Sequence, residues 1–306
     1  MATAAILALS AGLCGRSARA QQVADSLFAP AVTAPAYAGG NGPVVLVDEA
    51  HHNFHTMGGR FFAFARLLQR DGYDVRPLRS PFTREVLDSA RVLVVSNAVH
   101  ETNQEDWFLP TPSAFDDDEI SAVRAWVEEG GSLLLIADHM PFPGAAEKLA
   151  RAFGVLFSNG FALNAGEESG QMTFRRHDGS LASHPVTRGR NRAEQVDSVT
   201  AFTGQAFRLE GKGDPLLRLS ADAVLLMPEE AWMFSKRTPR LSASGMLQGA
   251  LLRVGKGRVA VFGEAAMFTA QLSGPQRVPV GMNDPAAPQN ARFLLNVMHW
   301  LSGLFK

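Results

Sequence analysis

The sequence predicts an α/β protein in which helices cover both faces of a mainly parallel β-sheet, giving three layers. Short apolar segments, such as VVLVD at 44–48, have the length and composition of buried strands. Between them lie amphipathic segments with helical periodicity, such as GRFFAFARLLQRDG at 59–72. Because the two kinds of segment alternate and the strands are almost continuously apolar, the sequence favours a sheet that is buried on both sides.

Ten segments follow this alternation, and several of their ends are marked by helix start and stop residues. One predicted helix begins with the acidic residues 116–119, which suit the positive end of a helix dipole, and ends at the glycine pair 130–131. The first predicted helix ends at Gly72. The predicted strands are 44–48, 73–78, 91–97, 132–138 and 257–264, and the predicted helices are 59–72, 83–90, 116–131, 143–154 and 288–305.

The remaining segments complete the predicted domain organisation. Residues 1–20 are Ala/Leu-rich and close with Ala18-Arg19-Ala20, a pattern typical of signal-peptidase cleavage, so we predict a signal peptide and a periplasmic or secreted protein. Residues 21–42 are rich in Ala, Pro and Gly and predict an extended lead-in. We expect residues 43–306 to form a single domain with a β-rich insertion at about 155–250, where short strands and turns replace the alternation.

Composition excludes several classes of function. The chain of 306 residues carries 29 basic and 30 acidic residues without a basic cluster, which argues against a nucleic-acid partner. Its one cysteine, Cys14, lies in the predicted signal peptide, so thiol chemistry is not expected in the mature chain. No uncharged apolar run reaches the roughly 18 residues that span a bilayer. The absence of GxGxxG, GxxxxGK[ST] and GxSxG motifs argues against a nucleotide cofactor and a serine-hydrolase site.

Polar side chains follow the predicted strands where the strands end. In the flavodoxin-like strand order 2-1-3-4-5, the order reverses between the first and third strands, and ligands bind at that point, outside the carboxyl ends. We therefore expect one pocket at this edge of the sheet. Its candidate residues are Asp48, Glu49, His51, His52 and His55 after the first strand, Asn97 and His100 after the third, Asp138 and His139 after the fourth, and Glu264 after the last.

Carboxylate and imidazole groups at one edge allow two kinds of chemistry. A divalent metal such as Zn²⁺, Mn²⁺ or Fe²⁺ would activate water for hydrolysis. Without a metal, an acid–imidazole pair would act as a general base. We assign the metal-ligand role to His51, His55, His100 and His139, and catalytic roles to Asp48, Glu49, His52, Asn97, Asp138 and Glu264.

The same residues also have structural interpretations. Asp48 or Asp138 can cap the helix that follows it, as aspartate often does, and Glu49 can be a solvated loop acid. At least one of the histidines at 51–55 can bond a backbone carbonyl or pack beneath the first helix. In the long loop after the third strand, Trp107 and Phe108 can stack on a sugar ring or anchor the loop to the core.

The segments VVLVDEAHHNFH, RVLVVSN, AVRAWVEEGGSLLLIADH and GRVAVFGEAAMF resemble the class I glutamine amidotransferase-like superfamily. Within it, the chain is similar to bacterial domains related to gliding-motility transporter auxiliary proteins and to intraflagellar-transport amino-terminal domains. The resemblance covers about 43–160 and 255–305 and implies the α/β fold. The amidotransferases carry a nucleophilic cysteine in a Gly-x-Cys-x-Gly elbow, whereas residues 136–141 read IADHMP here, so thiol-dependent glutamine hydrolysis is not implied.

These observations lead to two functional hypotheses. The first is an exported hydrolase-like enzyme that acts on a small or carbohydrate-type substrate through the acidic and imidazole groups, with or without a metal. The second is a non-catalytic domain that binds a ligand or a protein partner at the same edge, for instance as an auxiliary subunit of an envelope transporter.

Overall fold

The computed structural model describes residues 22–165 and 170–305, and the predicted signal peptide at 1–20 lies outside these residues. The described chain is a mixed α/β structure built on one large sheet with smaller antiparallel sheets around it. Within the described ranges, no helix combines the length and the apolar character that crossing a membrane requires.

The described ranges contain 17 strands and six α-helices, labelled in chain order. The helices are α1 Phe62–Arg70, α2 Arg84–Leu87, α3 Asp117–Glu129, α4 Phe142–Ala152, α5 Pro185–Arg188 and α6 Asn290–Leu301. The strands are β1 Gln22–Ala24, β2 Val44–Asp48, β3 Asp74–Leu78, β4 Val92–Ser96, β5 Ser132–Ile136, β6 Val155–Phe157, β7 Phe161–Leu163, β8 Met172–Arg175, β9 Ser198–Ala201, β10 Phe207–Leu209, β11 Asp214–Arg218, β12 Val224–Leu226, β13 Arg240–Ser242, β14 Leu247–Val254, β15 Gly257–Phe262, β16 Ala270–Ser273 and β17 Val278–Gly281.

All ten segments predicted from the alternation are present. The first strand, β2, has the predicted bounds, whereas the last helix, α6, is shorter at both ends than the predicted 288–305. In α3, the side chain of Asp116 accepts a hydrogen bond from the backbone of Glu119, and the Glu119 side chain accepts one from the backbone of Asp116. Gly130 ends this helix with a φ of 129°, a conformation that glycine adopts without steric penalty.

The large sheet has nine strands, in the order β3-β2-β4-β5-β15-β14-β10-β6, with β11 paired to β14. The strands from β3 to β15 are parallel, and the others are antiparallel. When the five parallel strands are numbered by their order along the chain, they lie across the sheet in the order 2-1-3-4-5. The strand order therefore reverses between β2 and β4. The sheet is therefore mixed rather than parallel, because segments of the predicted β-rich insertion extend its edge.

The parallel strands are buried because helices pack on both faces of the sheet. Every residue of β4 and β5 is buried. One apolar cluster joins a face of the sheet to α1 and α6 through side chains such as Phe64 and Trp300. The other cluster joins the opposite face to α3 and α4 through side chains such as Trp126 and Leu149. The continuous apolar character of these strands follows from burial on both sides.

Three smaller sheets surround this core. They have the orders β1-β16-β17, β13-β12-β7 and β8-β9. The lead-in thus contributes β1, which pairs with β16 near the other end of the chain. The sequence did not predict β16 and β17.

A buried hydrogen-bonded pair, Asp71 and His299, fastens the lead-in and the last helix to the end of α1. Asp71 and His299 are both inaccessible to solvent, and His299 Nε2 lies 2.6 Å from an Asp71 carboxylate oxygen. The other carboxylate oxygen accepts a hydrogen bond of 2.9 Å from the backbone N–H of Ala36.

Replacement Asp71→Ala should lower the free energy of unfolding by about 3 kcal/mol, because breaking a buried pair leaves its partner groups without hydrogen bonds. Urea denaturation followed by circular dichroism measures this change. The control Asp118→Ala removes an exposed carboxylate from the first turn of α3 and should have a much smaller effect. Equal effects of the two variants would show that the buried pair does not hold these segments together.

Candidate functional site

The loop after β2 begins with a buried aspartate that organises the residues following it. Asp48 is 1% exposed and ends the strand. One of its carboxylate oxygens accepts a hydrogen bond of 3.1 Å from the backbone N–H of Ala50. The other accepts one of 2.9 Å from the side-chain amide of Asn53. Asp48 thus closes a turn of the loop and does not cap the following helix, α1, which begins at Phe62; it also binds His51.

His51 lies between two carboxylates. Its Nδ1 is 2.9 Å from Asp48 Oδ1, and its Nε2 is 2.9 Å from Glu119 Oε1. Burial lowers the pKa of His51, but the hydrogen bond and charge of Asp48, with the charge of Glu119, outweigh burial and raise this pKa above its usual 6.5. Because both ring nitrogens face carboxylate oxygens, the geometry fits an imidazolium that donates two hydrogen bonds.

Glu119 was not predicted as part of this cluster. Its carboxylate receives the backbone N–H of Phe82 at 2.9 Å in addition to His51 and its capping bond within α3. The D-x-x-E pattern of residues 116–119 signals a helix start, but it gives no sign of a contact with a loop 68 positions earlier in the chain. We call Asp48, His51 and Glu119 the buried ion triad.

His55 and Asn53 connect the loop after β2 to the end of β4. His55 is 2% exposed, its Nδ1 is 3.0 Å from Ser96 Oγ, and its ring stacks on Phe61 at 4.7 Å. Burial, with the nearby charge of Arg60, lowers the pKa of His55 to about 3, so the ring is neutral near pH 7. The side-chain amide of Asn53 also donates to the backbone carbonyl of Ser96 at 3.3 Å.

Two acids lie together at the ends of β5 and β15. Burial raises the pKa of Asp138 to about 8, although hydrogen bonds from the His139 backbone and the Asn97 side chain lower it. Burial and the charge of Asp138 also raise the pKa of Glu264 well above its usual value. Asn97 holds a positive φ of 49° and accepts the backbone N–H of Asp138 at 2.9 Å. These contacts bring three of the predicted residues together.

Glu264 also has a local structural role. Its two carboxylate oxygens accept backbone N–H groups from Ala266 at 2.6 Å and Met267 at 2.7 Å. These bonds begin the 3-10 turn Ala266–Phe268. The carboxyl group is therefore held at the end of β15 by this turn, beside the neighbouring Asp138.

His139 lies among aromatic side chains. Its ring stacks on Phe161 at 4.5 Å and meets Trp232 edge-on at 4.7 Å. Its Nδ1 donates to the backbone carbonyl of Met140 at 2.7 Å. Trp107 is 7% exposed and packs edge-on against Phe142 at 5.1 Å. Trp107 thus anchors its loop to the core, which was one of the two expectations for it.

The remaining predicted residues, Glu49, His100 and His52, belong to neither of these buried groups. Glu49 accepts the backbone N–H of Met57 at 2.8 Å and forms an ion pair of 3.0 Å with Arg79. His100 accepts the backbone N–H of Thr102 and begins a 3-10 turn. His52 is exposed and has a positive φ of 48°.

The four predicted metal ligands are not brought together as a metal centre. Among residues 22–165 and 170–305, no group of three or more His, Cys, Asp or Glu side chains is arranged to hold a metal ion. At least one ring nitrogen of each histidine already has a protein partner, as described above for His51, His55, His100 and His139. The described residues thus show no assembled metal centre, and we derive no step through a metal.

A cavity of about 380 Å³ lies on the outer side of these loops, beside the reversal point of the sheet. Of the ten predicted residues, only His52 lines it. The sequence did not single out Arg60, which lies just before α1. The cavity is lined by His52, Asn53, Phe54, Thr56, Arg60, Val99, Gln104, Glu105, Trp107 and Phe142. A second cavity, of about 350 Å³, lies among β8, β11 and their loops, and no predicted site residue lines it.

Comparisons with known proteins show similarity of fold. No family model matches the chain, and no curated protein matches its sequence. The mmIFT52 amino-terminal domain superposes with a TM-score of 0.57 and 13% identity, over 84% of this chain and 97% of that one. The cytoplasmic protein STM3548 of Salmonella typhimurium gives 0.50 and 12%, over 85% and 98%. A thua-like protein of Bacteroides uniformis gives 0.48 and 14%, over 89% and 94%.

At these identities the similarity concerns the fold alone. It agrees, at that level, with the resemblance to intraflagellar-transport amino-terminal domains inferred from the sequence. It carries no information about which residues of this chain are functional.

The buried ion triad makes stability depend on pH. The folded-state pKa of His51 is raised above 6.5, so its stabilising effect is complete below pH 6.5 and is lost as the pH rises through the folded-state value. We expect His51→Gln to lower the free energy of unfolding by about 3 kcal/mol at pH 6, because two buried carboxylates lose their cation.

The difference between wild type and His51→Gln should shrink at higher pH, and denaturant unfolding at pH 6 to 9 measures it. His177→Gln, which replaces an exposed histidine, serves as the matched control and should change stability little at any pH. A difference that stays constant across this range would contradict a charged His51.

Proposed function

We propose that this protein binds a small polar molecule in the cavity at the reversal point of its parallel strands. The observation that supports this proposal is the position of the cavity, between the loops that follow β2 and β4. In open α/β sheets the loops diverge at this point and leave a crevice for ligands. The proposal corresponds to the second hypothesis from the sequence, a ligand-binding domain.

The lining of the cavity suits a hydroxylated ligand of the carbohydrate type. His52, Thr56, Gln104 and Glu105 supply hydrogen-bond donors and acceptors on its polar side. The rings of Phe54, Trp107 and Phe142 form an apolar side. A few polar groups beside an apolar surface is the usual composition of small-molecule sites.

The buried ion triad supports binding rather than catalysis at this cavity. Asp48 and Glu119 each accept several hydrogen bonds from the protein, and both nitrogens of His51 are engaged. None of the three residues lines the cavity. A general base must reach the proton that it abstracts, and these groups are held inward by their partners.

A hydrolase is the second candidate, carried by the pair Asp138 and Glu264. A carboxyl group with a pKa of about 8 still holds its proton near neutral pH and can act as a general acid, and strongly perturbed groups cluster at functional sites. The pair lies at the carboxyl ends of adjacent strands, β5 and β15, and does not line the cavity, so this candidate requires a substrate site separate from the cavity.

The proposal extends to the strand arrangement, the superfamily branch and the export of the protein, as the sequence predicts them. The strand order of the parallel part supports a flavodoxin-like arrangement. The similarity to the mmIFT52 domain supports placement in the related branch of the amidotransferase-like superfamily. The Ala18-Arg19-Ala20 pattern supports export to the periplasm or beyond, where an envelope transporter is a suitable partner.

Filling the cavity should abolish binding. Gln104 is exposed at the cavity wall, so Gln104→Trp places a large ring there without disturbing the core. Saturation-transfer NMR with glucose, galactose, glucuronate and glucose 6-phosphate should detect a ligand for the wild type and none for this variant. Gln69→Trp, on the exposed face of α1, is the matched control and should bind like the wild type. Equal signals for both variants, or no signal for the wild type, would contradict the proposal.

The hydrolase candidate predicts turnover that depends on a protonated Asp138. With p-nitrophenyl glycosides as substrates, Asp138→Asn should reduce kcat by about 100-fold or more, the usual effect of a general acid. The rate of the wild type should fall as the pH rises through about 8, because the acid then loses its proton. Asp118→Asn, an exposed change, should leave the rate unaffected. Absence of turnover, or full activity of Asp138→Asn, would eliminate this candidate.

A further inference from the structure

Arg60 is the strongest positive group on the wall of the cavity, and its charge is not balanced locally. Its guanidinium carbon lies 3.7 Å from the centre of the Phe54 ring. Its Nε is buried and has no hydrogen-bond acceptor among the described residues. Within residues 22–165 and 170–305, no carboxylate oxygen lies within 4.0 Å of this guanidinium.

The Arg60 side chain is half-buried, and its surroundings disfavour its positive charge. Burial lowers the pKa of Arg60. The ring of Phe54 compensates for this in part, since a cation is attracted to an aromatic face. The buried Nε, which has no acceptor among the described residues, is not compensated.

The ionisable groups around Arg60 do not supply the missing acceptor. The side chain of Glu49 is engaged by the backbone of Met57 and by Arg79. His55 is neutral near pH 7 and carries no negative charge that could balance the guanidinium.

We propose that Arg60 is an anion-recognition residue and that the ligand of the cavity carries a carboxylate or a phosphate group. The inference rests on the proposed function and specifies its ligand class. A guanidinium presents parallel N–H donors along its edges, a geometry that matches two oxygens of a carboxylate or phosphate. Because Nε of Arg60 is buried, the two terminal nitrogens are the donors that a ligand in the cavity can reach. Phe54 covers the face of the group, so the donors are directed along its edge.

The rest of the lining determines how such a ligand is oriented. Its anionic group binds at Arg60, and its hydroxyl groups lie toward Thr56, Gln104 and Glu105. The ligand class is therefore a small hydroxylated molecule with one anionic end, such as a sugar acid or a sugar phosphate.

Calorimetric titration of the full chain with three probes tests this inference. Glucose is neutral, glucuronate carries a carboxylate, and glucose 6-phosphate carries a phosphate. At low salt, at least one of the anionic probes should bind tenfold or more tightly than glucose, and this advantage should decrease as sodium chloride is added. A preference for glucuronate identifies the carboxylate as the group bound, and a preference for glucose 6-phosphate identifies the phosphate.

Arg60→Met keeps the apolar stem over Phe54 and removes the charge. It should weaken binding of the anionic probe at least tenfold and leave binding of glucose unchanged. Arg66→Met, which removes an exposed arginine from α1, is the matched control and should change neither. Thermal unfolding of Arg60→Met should occur at the same or a higher temperature than that of the wild type, because a poorly compensated charge has been removed.

The outcomes separate the inference from the proposed function. Equal affinity for glucose and both anions, unchanged in Arg60→Met, would overturn anion recognition and leave a ligand-binding cavity. Failure of the wild type to bind any of the three probes would overturn both. A lower unfolding temperature of Arg60→Met, with equal losses for glucose and the anions, would show that Arg60 has a structural role only.

Discussion

An imidazole buried between two carboxylates fixes the geometry of the edge at which the parallel strands end. His51 joins the loop after β2 to the first turn of α3 through Asp48 and Glu119. Each partner has further hydrogen bonds to the backbone, so the three groups cannot rearrange independently. Because His51 is directed inward, the neighbouring loop residues point alternately inward and outward: Asn53 and His55 are buried, and His52 is exposed.

That division separates two chemical environments at the end of the sheet. Inside, the polar side chains satisfy one another, as His55 does with Ser96. Outside, the cavity exposes His52 and the guanidinium of Arg60. Groups that are fully paired within the protein hold loops in position, whereas a group that lacks a partner has binding capacity for another molecule. The structure therefore supports recognition by the outer residues more strongly than chemistry by the inner ones.

The fold was predictable where local sequence and global packing agree. The parallel strands are apolar along their whole length and are separated by amphipathic helices, so each segment carries its own signal. The edge strands were harder to predict. β6 and β10 have three residues each and form through pairing with distant segments, as β1 does with β16. Local propensity is weak over so few residues, and tertiary contacts decide their conformation.

The candidate site was predictable in position and only in part in composition. Polar residues after each strand indicated the edge beside which the cavity lies, since the ends of parallel strands meet there. Glu119 was not predicted because its role as a helix cap accounts for its presence in the sequence. Arg60 was not predicted because an arginine before an amphipathic helix is normally a solvated residue. Its buried Nε becomes visible only when the neighbouring loops are in place.

The sequence by itself determined the α/β class, the main strands and helices, and the edge at which the polar residues collect, because these depend on local periodicity and on the direction of the strands. Only the tertiary structure decided which of those polar groups are paired and which can meet a ligand. Pairing depends on side-chain directions and distances between residues far apart in the chain, such as His51 and Glu119, and packing alone sets these.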